Sequence, residues 1–335
     1  MVVRVDLGEL HEHCTALLTD AGLPAEAAGT AAYHLLDADL RGLRSHGVAM
    51  LPSYLACIKA GGVSRETEAR VVADSPGLVI LDGRHALGQL TSVQATDLVT
   101  ERARRLGIGA VGVRHAHHFG AASTWAIRIT DAGMIGIALS NSAPMMPVPG
   151  GRTAVVGNNP ISIAVVGTDG RPVVADLAAS VGSVAKIRAA ASHGDPIPRG
   201  WAHDREGVPT TDPAEALAGT LAPIGGAKGF ALALLIEVLT GVLTGGPFSA
   251  AVSKFSFHPE KPNDCAHMFI AISPGPEVSG GVDALVATVD AAVAGVAGAH
   301  VPGRWRSDLA ADQIKTGVAV DSLVLDQLGF RGRTW

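Results

Sequence analysis

The 335-residue sequence is poor in aromatic side chains. It holds seven phenylalanines, two tyrosines and four tryptophans, against 41 glycines. Protein interiors are close-packed, so a core with few large rings must close with small residues and closely approaching backbones. The composition, 47% hydrophobic and 17% charged, excludes a disordered chain over most of its length.

Cysteine is also scarce. Cys14, Cys57 and Cys265 lie singly, without a CxxC pair. This arrangement argues against a disulfide scaffold and against a cysteine-built zinc site, and it is typical of a reducing compartment. The charged N-terminal segment lacks the apolar core of a signal peptide. The sequence therefore predicts a cytoplasmic protein.

Positive charge is not in excess. The 26 Lys and Arg residues against 31 Asp and Glu residues give a net charge of −5, which argues against nucleic acid and anionic membranes as partners. The most apolar segment, residues 229–244, is short for a membrane span and contains Glu237. We expect a buried helix there and no membrane association.

The hydrophobic pattern changes near residue 70. Helical spacing runs from Leu7 to Leu18 and is followed by predicted helices over 24–39 and 47–60, each ended by a turn. Beyond residue 70, β-branched runs alternate with helical stretches. Strands are predicted over 70–73, 77–81, 109–114, 135–140, 161–166, 172–176 and 268–273, and helices over 90–106, 121–132, 181–191, 229–244 and 282–296. This alternation predicts an α/β fold with a layered sheet and helices on both faces.

The same pattern suggests how the chain is divided. Residues 1–70 form a predicted helical outer region that packs with residues 308–335. Residues 71–307 form the α/β region that would bind cofactor and substrate. Within it, residues 192–223 are rich in Pro, Gly, Asp and Thr and predict an extended surface loop.

The usual phosphate-binding fingerprints are missing. Neither a GxGxxG that joins a strand to a helix nor GxxxxGK[ST] occurs, because the nearest approaches, Gly107–Gly109 and Gly225–Gly226, lack the strand-turn-helix context. If the chain binds a dinucleotide, it does so without that motif.

The densest polar cluster is Arg114–Gly120, RHAHHFG, between a predicted strand and a predicted helix. Open α/β sheets bind ligands at such strand ends, and histidine exchanges protons near neutral pH. His115, His117 and His118 could instead hold a metal ion, although no acidic partner lies nearby in sequence. A cap or surface role is a third interpretation.

Four other segments are candidates for chemistry. Each has a polar or glycine-rich turn beside a predicted strand or helix, and they are Asp39–Gly47, Ser140–Pro160, Asp176–Ala178 and Gly225–Gly229. In the first, either Ser45 caps a helix or His46 binds an anionic ligand. In the last, Lys228 either binds a phosphate or carboxylate or is solvated.

In this order, these segments resemble the type-2 malate/L-lactate dehydrogenase family, which includes ureidoglycolate and sulfolactate dehydrogenases and cyclic-imine carboxylate reductases. The resemblance covers nearly the whole chain. It rests on Asp39–Val48, Pro52–Tyr54, Gly107–Gly120, Gly133–Pro144, Gly150–Gly151, Asn159–Pro160, Asp176–Ser180, Pro198–Pro213, Gly225–Gly229 and His267–Pro274.

The resemblance implies an NAD- or NADP-dependent homodimer of non-Rossmann fold, with a mixed sheet and the active site near the subunit interface. The reaction is reversible hydride transfer between the nicotinamide and C2 of a 2-oxo acid or a cyclic imine. The implied catalytic residues are His118 as acid/base, with His46 and Ser45. The implied cofactor-binding residues are Gly120, Ser142, Asp176, Leu177, Ala178, Lys228 and Arg304, and the implied substrate contacts are Met50, Tyr54, Arg44 and Asn159.

Three positions depart from the family pattern. Met50 stands where the family carries an arginine that can clamp a substrate carboxylate, and a thioether cannot make that bidentate pair. Either Arg44, Arg152 or Lys228 substitutes, or the substrate lacks a carboxylate there. His117 and Asn158 replace the family's asparagine and threonine. We interpret these changes as a shift of substrate.

The resemblance leads to two further expectations. The alternative to an enzyme is a member of this family that has lost turnover and acts as a non-catalytic dinucleotide-binding or scaffold protein. The choice of NAD or NADP depends on whether an arginine such as Arg188 or Arg304 meets a 2′-phosphate.

Overall fold

The computed structural model of the chain describes residues 1–167, 169–275 and 279–333. The predicted outer segment 308–335 therefore ends in two residues, 334 and 335, that lie outside the described part. The region predicted as 71–307 likewise includes residues 168 and 276–278, of which nothing is described.

A seven-stranded mixed sheet organises the α/β region. Its order is β2-β3-β4-β13-β5-β8-β9, and the strands are β2 (Arg70–Asp74), β3 (Leu78–Asp82), β4 (Ile108–Ala116), β5 (Ile135–Ser140), β8 (Ile161–Val166), β9 (Pro172–Leu177) and β13 (Cys265–Ile272). Strands β3 and β4 pair in parallel, and the other neighbours pair antiparallel. The predicted mixed α/β class is confirmed, and the order differs from that of a doubly wound parallel sheet.

Side chains alternate between the two faces of this sheet. On β13, Phe269 and Ala271 join the core under helices α4 (Gly88–Leu106) and α5 (Ala122–Thr130). Met268 and Ile270 point to the opposite face, where they pack with Ile236 of α8 (Ala227–Glu237). Because the side chains of a strand alternate with period two, one strand supplies both cores, and helices cover both faces as predicted.

Small residues let the layers approach closely. An added Cβ at Gly136 of β5 would overlap the backbone oxygen of Ala126 in α5. Trp125 of the same helix is fully buried and is one of the few large rings in the core. The expectation of close backbone packing from the scarcity of rings therefore matches this contact.

The N-terminal part of the chain forms a second core with the C-terminal helices. Helices α1 (Leu7–Asp20), α2 (Ala25–Leu40) and α3 (Leu51–Ala60) share buried apolar contacts with α10 (Arg304–Thr316) and α11 (Ser322–Leu328). Two 3₁₀ turns, Arg44–His46 and Val48–Met50, join α2 to α3. The division of the chain at residues 70 and 307 stays a prediction.

The all-helical expectation for the first 60 residues was incomplete. The chain begins with strand β1 (Val2–Val5), which pairs antiparallel with β14 (Val318–Asp321). A four-residue strand has too little periodic pattern to be recognised alone, and its partner lies more than 300 residues away. Only the folded chain brings the two segments together.

The expectation of an irregular loop over 192–223 was also wrong in part. This segment holds helix α7 (Pro213–Ala218) and the short strands β10 (Ala202–His203), β11 (Pro209–Thr210) and β12 (Thr220–Leu221). Asp212 caps α7 by accepting hydrogen bonds from the backbone N–H groups of Ala214 and Glu215. An aspartate followed by Pro213 is the N-terminal signal that identifies this helix.

Helix α8 is less buried than its composition suggests. It continues through a π-helical turn, Val238–Val242, which matches the predicted segment 229–244 in place. Ile236 and Glu237 are buried, whereas Leu235 and Leu239 are 59% and 41% exposed. The prediction of a buried helix is therefore correct for one side only. Among the described residues, none of the helices has both the length and the apolar character needed to cross a membrane.

The remaining elements complete the chain. They are β6 (Met146–Pro147) and β7 (Ala154–Val156), which form a small antiparallel pair, and helices α6 (Val184–His193) and α9 (Ser279–Val293). Strands β5 and β8 coincide with their predicted ranges, and the other predicted strands and helices differ by a few residues at their ends.

Candidate active site

His118 lies just beyond the end of β4, and its ring is held by two donors. The Tyr54 hydroxyl of α3 lies 2.6 Å from Nδ1 of His118, and the backbone N–H of Gly120 donates to the same nitrogen over 3.4 Å. A backbone N–H can only donate, so Nδ1 is an acceptor and neutral His118 carries its hydrogen on Nε2. Nε2 is therefore the ring nitrogen left to face a ligand, and the ring can act as an acid only after it takes up a second proton.

Gln89 of α4 extends this arrangement. Its Nε2 donates to the Tyr54 hydroxyl over 3.2 Å, so the hydroxyl accepts from Gln89 and donates towards His118. The chain Gln89–Tyr54–His118 thus links the first turn of one helix, the middle of another and a strand end. Burial raises the pKa of Tyr54, which keeps the phenol protonated and available as a donor.

The electrostatic surroundings keep His118 neutral. Burial, and then the neighbouring rings of His46, His117 and His267, lower the pKa of His118 well below its usual value. The rings of His46 and His118 stack with their centroids 5.8 Å apart. In the described part of the chain, the charges that act on this ring come from other imidazoles and not from a carboxylate. A bound negative charge would therefore raise the pKa of His118.

His46 connects this centre to the end of β9. Burial lowers its pKa, Asp176 acts in the opposite direction, and Arg306 lowers it further. The Ser45 hydroxyl lies 3.0 Å from Nδ1 of His46, and Asp176 accepts a 2.6 Å hydrogen bond from Ser123. The predicted catalytic residues Ser45, His46 and His118 and the predicted cofactor residue Asp176 thus belong to one neighbourhood.

The turn that carries Ser45 and His46 is fixed from beneath by Asp39. The Asp39 carboxylate is buried and accepts a 2.7 Å hydrogen bond from the backbone N–H of Val48. A Cβ at Gly47 would overlap that carboxyl group, so only glycine fits above it. Burial raises the pKa of Asp39 to about 7, and the Val48 hydrogen bond and Arg44 act against that rise.

The predicted loop residues form a second network. Ser142 donates its backbone N–H to Asn159 and its hydroxyl to Asn158, both at 2.9 Å. Asn159 is fully buried and donates to the Ala233 carbonyl of α8 over 2.9 Å. Asn159 therefore anchors the loop to α8, an anchoring role that sequence reasoning did not foresee.

The same network brings the β9 end to the start of α8. Ala179 donates to the Asn158 carbonyl over 2.7 Å, and Ile224 donates to the Ala179 carbonyl over 2.9 Å. Lys228 is exposed in the first turn of α8, which has no side-chain cap. Leu177 and Ala178 lie between this helix start and Asp176, with Leu177 exposed. The structure therefore gathers four of the predicted cofactor residues around one surface.

Met50 and Arg44 flank the His46 turn on different sides. Met50 is partly buried and packs against the N-terminal core, whereas Arg44 is exposed. Arg152 is exposed too, and its Cβ lies near Gly207, which is in the turn between β10 and β11.

Arg306 is a residue that sequence reasoning missed. Its guanidinium donates to the Arg41 carbonyl over 2.9 Å, stacks over Trp305 at 4.2 Å, and interacts electrostatically with Asp176 and His46. The only signal in the sequence was its position two residues after the Pro302–Arg304 turn.

Arg304 is engaged by carboxylates. Its guanidinium pairs with Asp290 at 2.9 Å and with Asp169 at 3.0 Å, and its side chain is 11% exposed. The preceding turn does reach the sheet, because the Pro302 carbonyl accepts a hydrogen bond from Val174 of β9. Arg188 lies over the ring of Phe257. The positive charge of Arg304 is therefore already neutralised by the carboxylates of Asp290 and Asp169.

The three neighbouring histidines of the RHAHHFG motif diverge. His117 is buried among Tyr54 and Phe255, and burial lowers its pKa to about 3. His115 instead pairs with Asp264 at 2.7 Å. This geometry therefore does not support a single metal ion bound by all three histidines.

The comparisons with known proteins identify the family. The family model for malate/L-lactate dehydrogenase matches residues 5–329. The chain belongs to this family. The predicted resemblance is thus confirmed, and so is the expectation that the chain is a dehydrogenase of this family.

Relatives of this malate/L-lactate dehydrogenase family cover most of the chain. A (2R)-3-sulfolactate dehydrogenase (NADP(+)) from Chromohalobacter salexigens is 36% identical over 97% of this chain and 96% of its own. A ureidoglycolate dehydrogenase (NAD(+)) from Escherichia coli is 35% identical over 81% and 77%. The solved sulfolactate dehydrogenase from Methanocaldococcus jannaschii has a TM-score of 0.89 at 32% identity, covering 98% and 95%. These names agree with the predicted cofactor, NAD or NADP.

The raised pKa of Asp39 leads to a pH prediction. The folded chain holds this proton more tightly than the unfolded chain, so the resulting stability is full below about pH 4 and is lost as the pH rises through 7. We expect Asp39→Asn to be more stable than wild type at pH 8 by roughly 1–3 kcal/mol, with a smaller difference at pH 5. Urea unfolding at both pH values measures this.

The control for that experiment is Asp97→Asn, which removes an exposed carboxylate. It should move the unfolding midpoint little and equally at the two pH values. An Asp39→Asn difference that is independent of pH would show that the carboxyl titrates normally in the folded chain.

Proposed function

We propose that this protein transfers a hydride reversibly between NAD or NADP and C2 of a 2-oxo acid or a related ketone or cyclic imine. The observation that carries this proposal is the chain Gln89–Tyr54–His118, which holds one imidazole with Nε2 as its free hydrogen-bonding nitrogen. An ordered, partly buried imidazole is the group such a reaction requires, since the substrate oxygen or nitrogen must gain a proton as the hydride arrives.

The residues around Asp176 and α8 fit a dinucleotide. The uncapped helix start with Lys228 offers backbone N–H groups and one cation to a phosphate, and Asp176 offers a carboxylate to a ribose hydroxyl. Gly120, Ser142, Leu177 and Ala178 would complete the binding surface, whereas Arg304 would have to leave Asp290 and Asp169 to contact the cofactor. The nicotinamide supplies the hydride when bound.

His118 moves the proton. In reduction, the His118 imidazolium gives its Nε2 proton to the substrate oxygen or imine nitrogen and becomes neutral, with its remaining hydrogen on Nδ1. In oxidation, the unprotonated Nε2 takes the proton back. When the ring is an imidazolium, Nδ1–H donates to the Tyr54 oxygen, and the phenol hydrogen turns to the His118 carbonyl 3.5 Å away. Burial and neighbouring imidazoles lower the pKa of His118. A substrate anion bound beside His46 would raise that pKa and so stabilise the imidazolium.

Of the predicted substrate contacts, Met50 and Arg44 lie next to the His46 turn, whereas Tyr54 would act through His118 and the buried Asn159 through the Ser142 loop. His46 and Ser45 would lie beside the reacting carbon. Because Met50 offers no charge, the substrate anion is held by Arg44, Arg306 or Lys228, or the group that faces Met50 is apolar. Arg306 is supported by its electrostatic interaction with His46. This arrangement favours a substrate that differs from malate and lactate on its Met50 side.

The first test is turnover by variants of the proton-donating chain. His118→Asn should lower kcat/KM about 10²- to 10⁴-fold for any substrate that the wild type turns over, because it removes the proton donor. Tyr54→Phe should lower it less, because the imidazole remains but loses its orientation. The assay follows NADH and NADPH absorbance over a panel of oxo acids and cyclic imines.

Tyr33→Phe is the matched control, since Tyr33 is exposed on α2 and should leave kcat/KM unchanged. NADH and NADPH titrations by fluorescence accompany the assay. Cofactor binding by the wild type without turnover on any panel member would favour the non-catalytic alternative over an enzyme.

The second test concerns the Met50 side of the site. Met50→Arg should raise kcat/KM for malate, lactate or a cyclic imine carboxylate about tenfold or more, because a guanidinium adds a bidentate, charge-assisted pair to the carboxylate. Met50→Leu is the control for packing. A Met50→Arg variant that turns these substrates over no better than wild type would count against a substrate shift at this position.

We also propose that the protein is a homodimer with the active site near the subunit interface. The exposed apolar side of α8 and its π-helical turn supports this. It consists of Leu234, Leu235, Val238, Leu239, Val242 and Leu243. An apolar patch of this kind marks a protein contact, and a second copy fits because α8 begins at the predicted cofactor site.

The third test is the mass in solution. Wild type should elute from size exclusion with light scattering as a dimer, and Leu235→Lys with Leu239→Lys should elute as a monomer with lower kcat/KM, because two charges on the apolar side oppose association. Leu323→Lys, at a site 72% exposed on α11, is the control. A monomeric wild type, or a double variant that stays dimeric, contradicts the proposal.

A cytoplasmic location is part of the same proposal. Cys14, Cys57 and Cys265 are all buried and free, as is common where thiols stay reduced.

A further inference from the structure

The structure brings His85, His115 and Asp264 together from three distant parts of the sequence. His85 follows β3, His115 lies near the end of β4, and Asp264 precedes β13. One ligand atom from each lies within 4.8 Å of the other two, and this is the sole group of three such side chains among the described residues. Neither the proposed proton transfer nor the proposed cofactor surface uses them.

We propose that these three side chains form a binding site for a divalent transition-metal ion, best matched by Zn²⁺. Two imidazole nitrogens and one carboxylate oxygen are a ligand set that zinc accepts, with water in the fourth position. The site has a structural role that is separate from the chemistry at His118.

The distances fit a small tetrahedral ion. Nδ1 of His115 lies 2.7 Å from Oδ1 of Asp264, and Nδ1 of His85 lies 3.6 Å from the same oxygen. Ligand atoms at about 2.1 Å from a tetrahedral ion stand roughly 3.4 Å from one another. An ion between them would need only small side-chain shifts, and His115 would then carry its hydrogen on Nε2.

An unsatisfied polar atom points to the same place. Nδ1 of His85 is buried and has no hydrogen-bond partner among the residues that the structure describes, because 3.6 Å to Asp264 is too long for a hydrogen bond. A buried nitrogen without a partner is unfavourable, and a metal ion would satisfy it. The arginines that precede the two histidines in sequence are paired elsewhere, Arg84 with Glu66 and Arg114 with Asp82.

The backbone supports this cluster at every ligand. The φ angles of His85, His115 and Asp264 are 60°, 50° and 59°, and all three lie in the left-handed region. Non-glycine residues adopt this conformation rarely, and such residues concentrate at functional sites. A 2.7 Å hydrogen bond from the His85 N–H to the His115 carbonyl fixes two of the three ligands relative to each other.

The ion would lock the segments that lead into the active site. His115 is three residues before His118, and His85 is four residues before Gln89. A crosslink between them holds the two ends of the Gln89–Tyr54–His118 chain at a fixed separation. Zinc should therefore raise the melting temperature and leave the proton donor itself untouched.

The experiment uses the full-length, untagged chain after chelation. Equilibrium dialysis against micromolar Zn²⁺ should give one ion per chain. His85→Asn, His115→Asn and Asp264→Asn should each weaken binding about tenfold or more and abolish the zinc-dependent rise in melting temperature. Asparagine tolerates positive φ, so these variants keep the backbone and test the ligands alone.

His258→Asn is the matched control. His258 also lies 3.6 Å from a carboxylate, that of Glu260, and is exposed, so its loss should leave zinc binding unchanged. Less than one ion per chain in the wild type, or equal binding by wild type and the three ligand variants, would overturn the proposal. Cofactor binding and turnover are measured separately, so a negative result here leaves the proposed function standing.

Discussion

The hydrogen bond between the Tyr54 hydroxyl and Nδ1 of His118 joins the two halves of this structure. Tyr54 belongs to α3 in the helical core, and His118 lies at the end of a central strand of the sheet. The bond therefore fixes the helical layer against the sheet at the point where the proposed chemistry occurs. Gln89 and the Gly120 N–H then orient the ring through Nδ1, which leaves Nε2 to meet a ligand.

Other buried contacts also hold the residues around His118 in place. The Asp39 carboxylate under Gly47 holds the turn that presents His46 to His118. His267 lies on the face of Phe119 with ring centroids 4.2 Å apart and contacts the His117 carbonyl through Nε2 at 3.1 Å. These buried contacts position the strand end before any ligand is bound, which is the preorganisation that proton transfer needs.

Much of the fold followed from local pattern. Strands β5 and β8 have the predicted bounds, since β-branched runs bordered by turns are strong signals. The β1–β14 pair was missed because each strand is four residues long and gains its structure from a distant partner. Helix α7 was not predicted, although Asp212 followed by Pro213 is a typical start of a helix. The exposed side of α8 could not be told from a buried one, because apolar composition alone does not say what covers a helix.

The candidate site shows the same division. Residue types and order pointed to Ser45, His46, His118 and Asp176, and family membership followed from that order. The pairing of His115 with Asp264, the charge of Arg306 beside His46 and the engagement of Arg304 by two carboxylates were beyond sequence reasoning. Each depends on side chains more than 100 residues apart or on which way a turn faces.

The sequence by itself determined the α/β class and the family, and it predicted His118 as the proton donor, because these inferences rest on short-range periodicity and on ordered motifs. Only the tertiary structure decided which nitrogen of His118 is free, which histidine of the motif meets Asp264, and how much of α8 is exposed. Those properties depend on distances between segments that are remote in sequence. A hydrogen bond, an ion pair or the burial of a side chain exists only once the chain has closed around it.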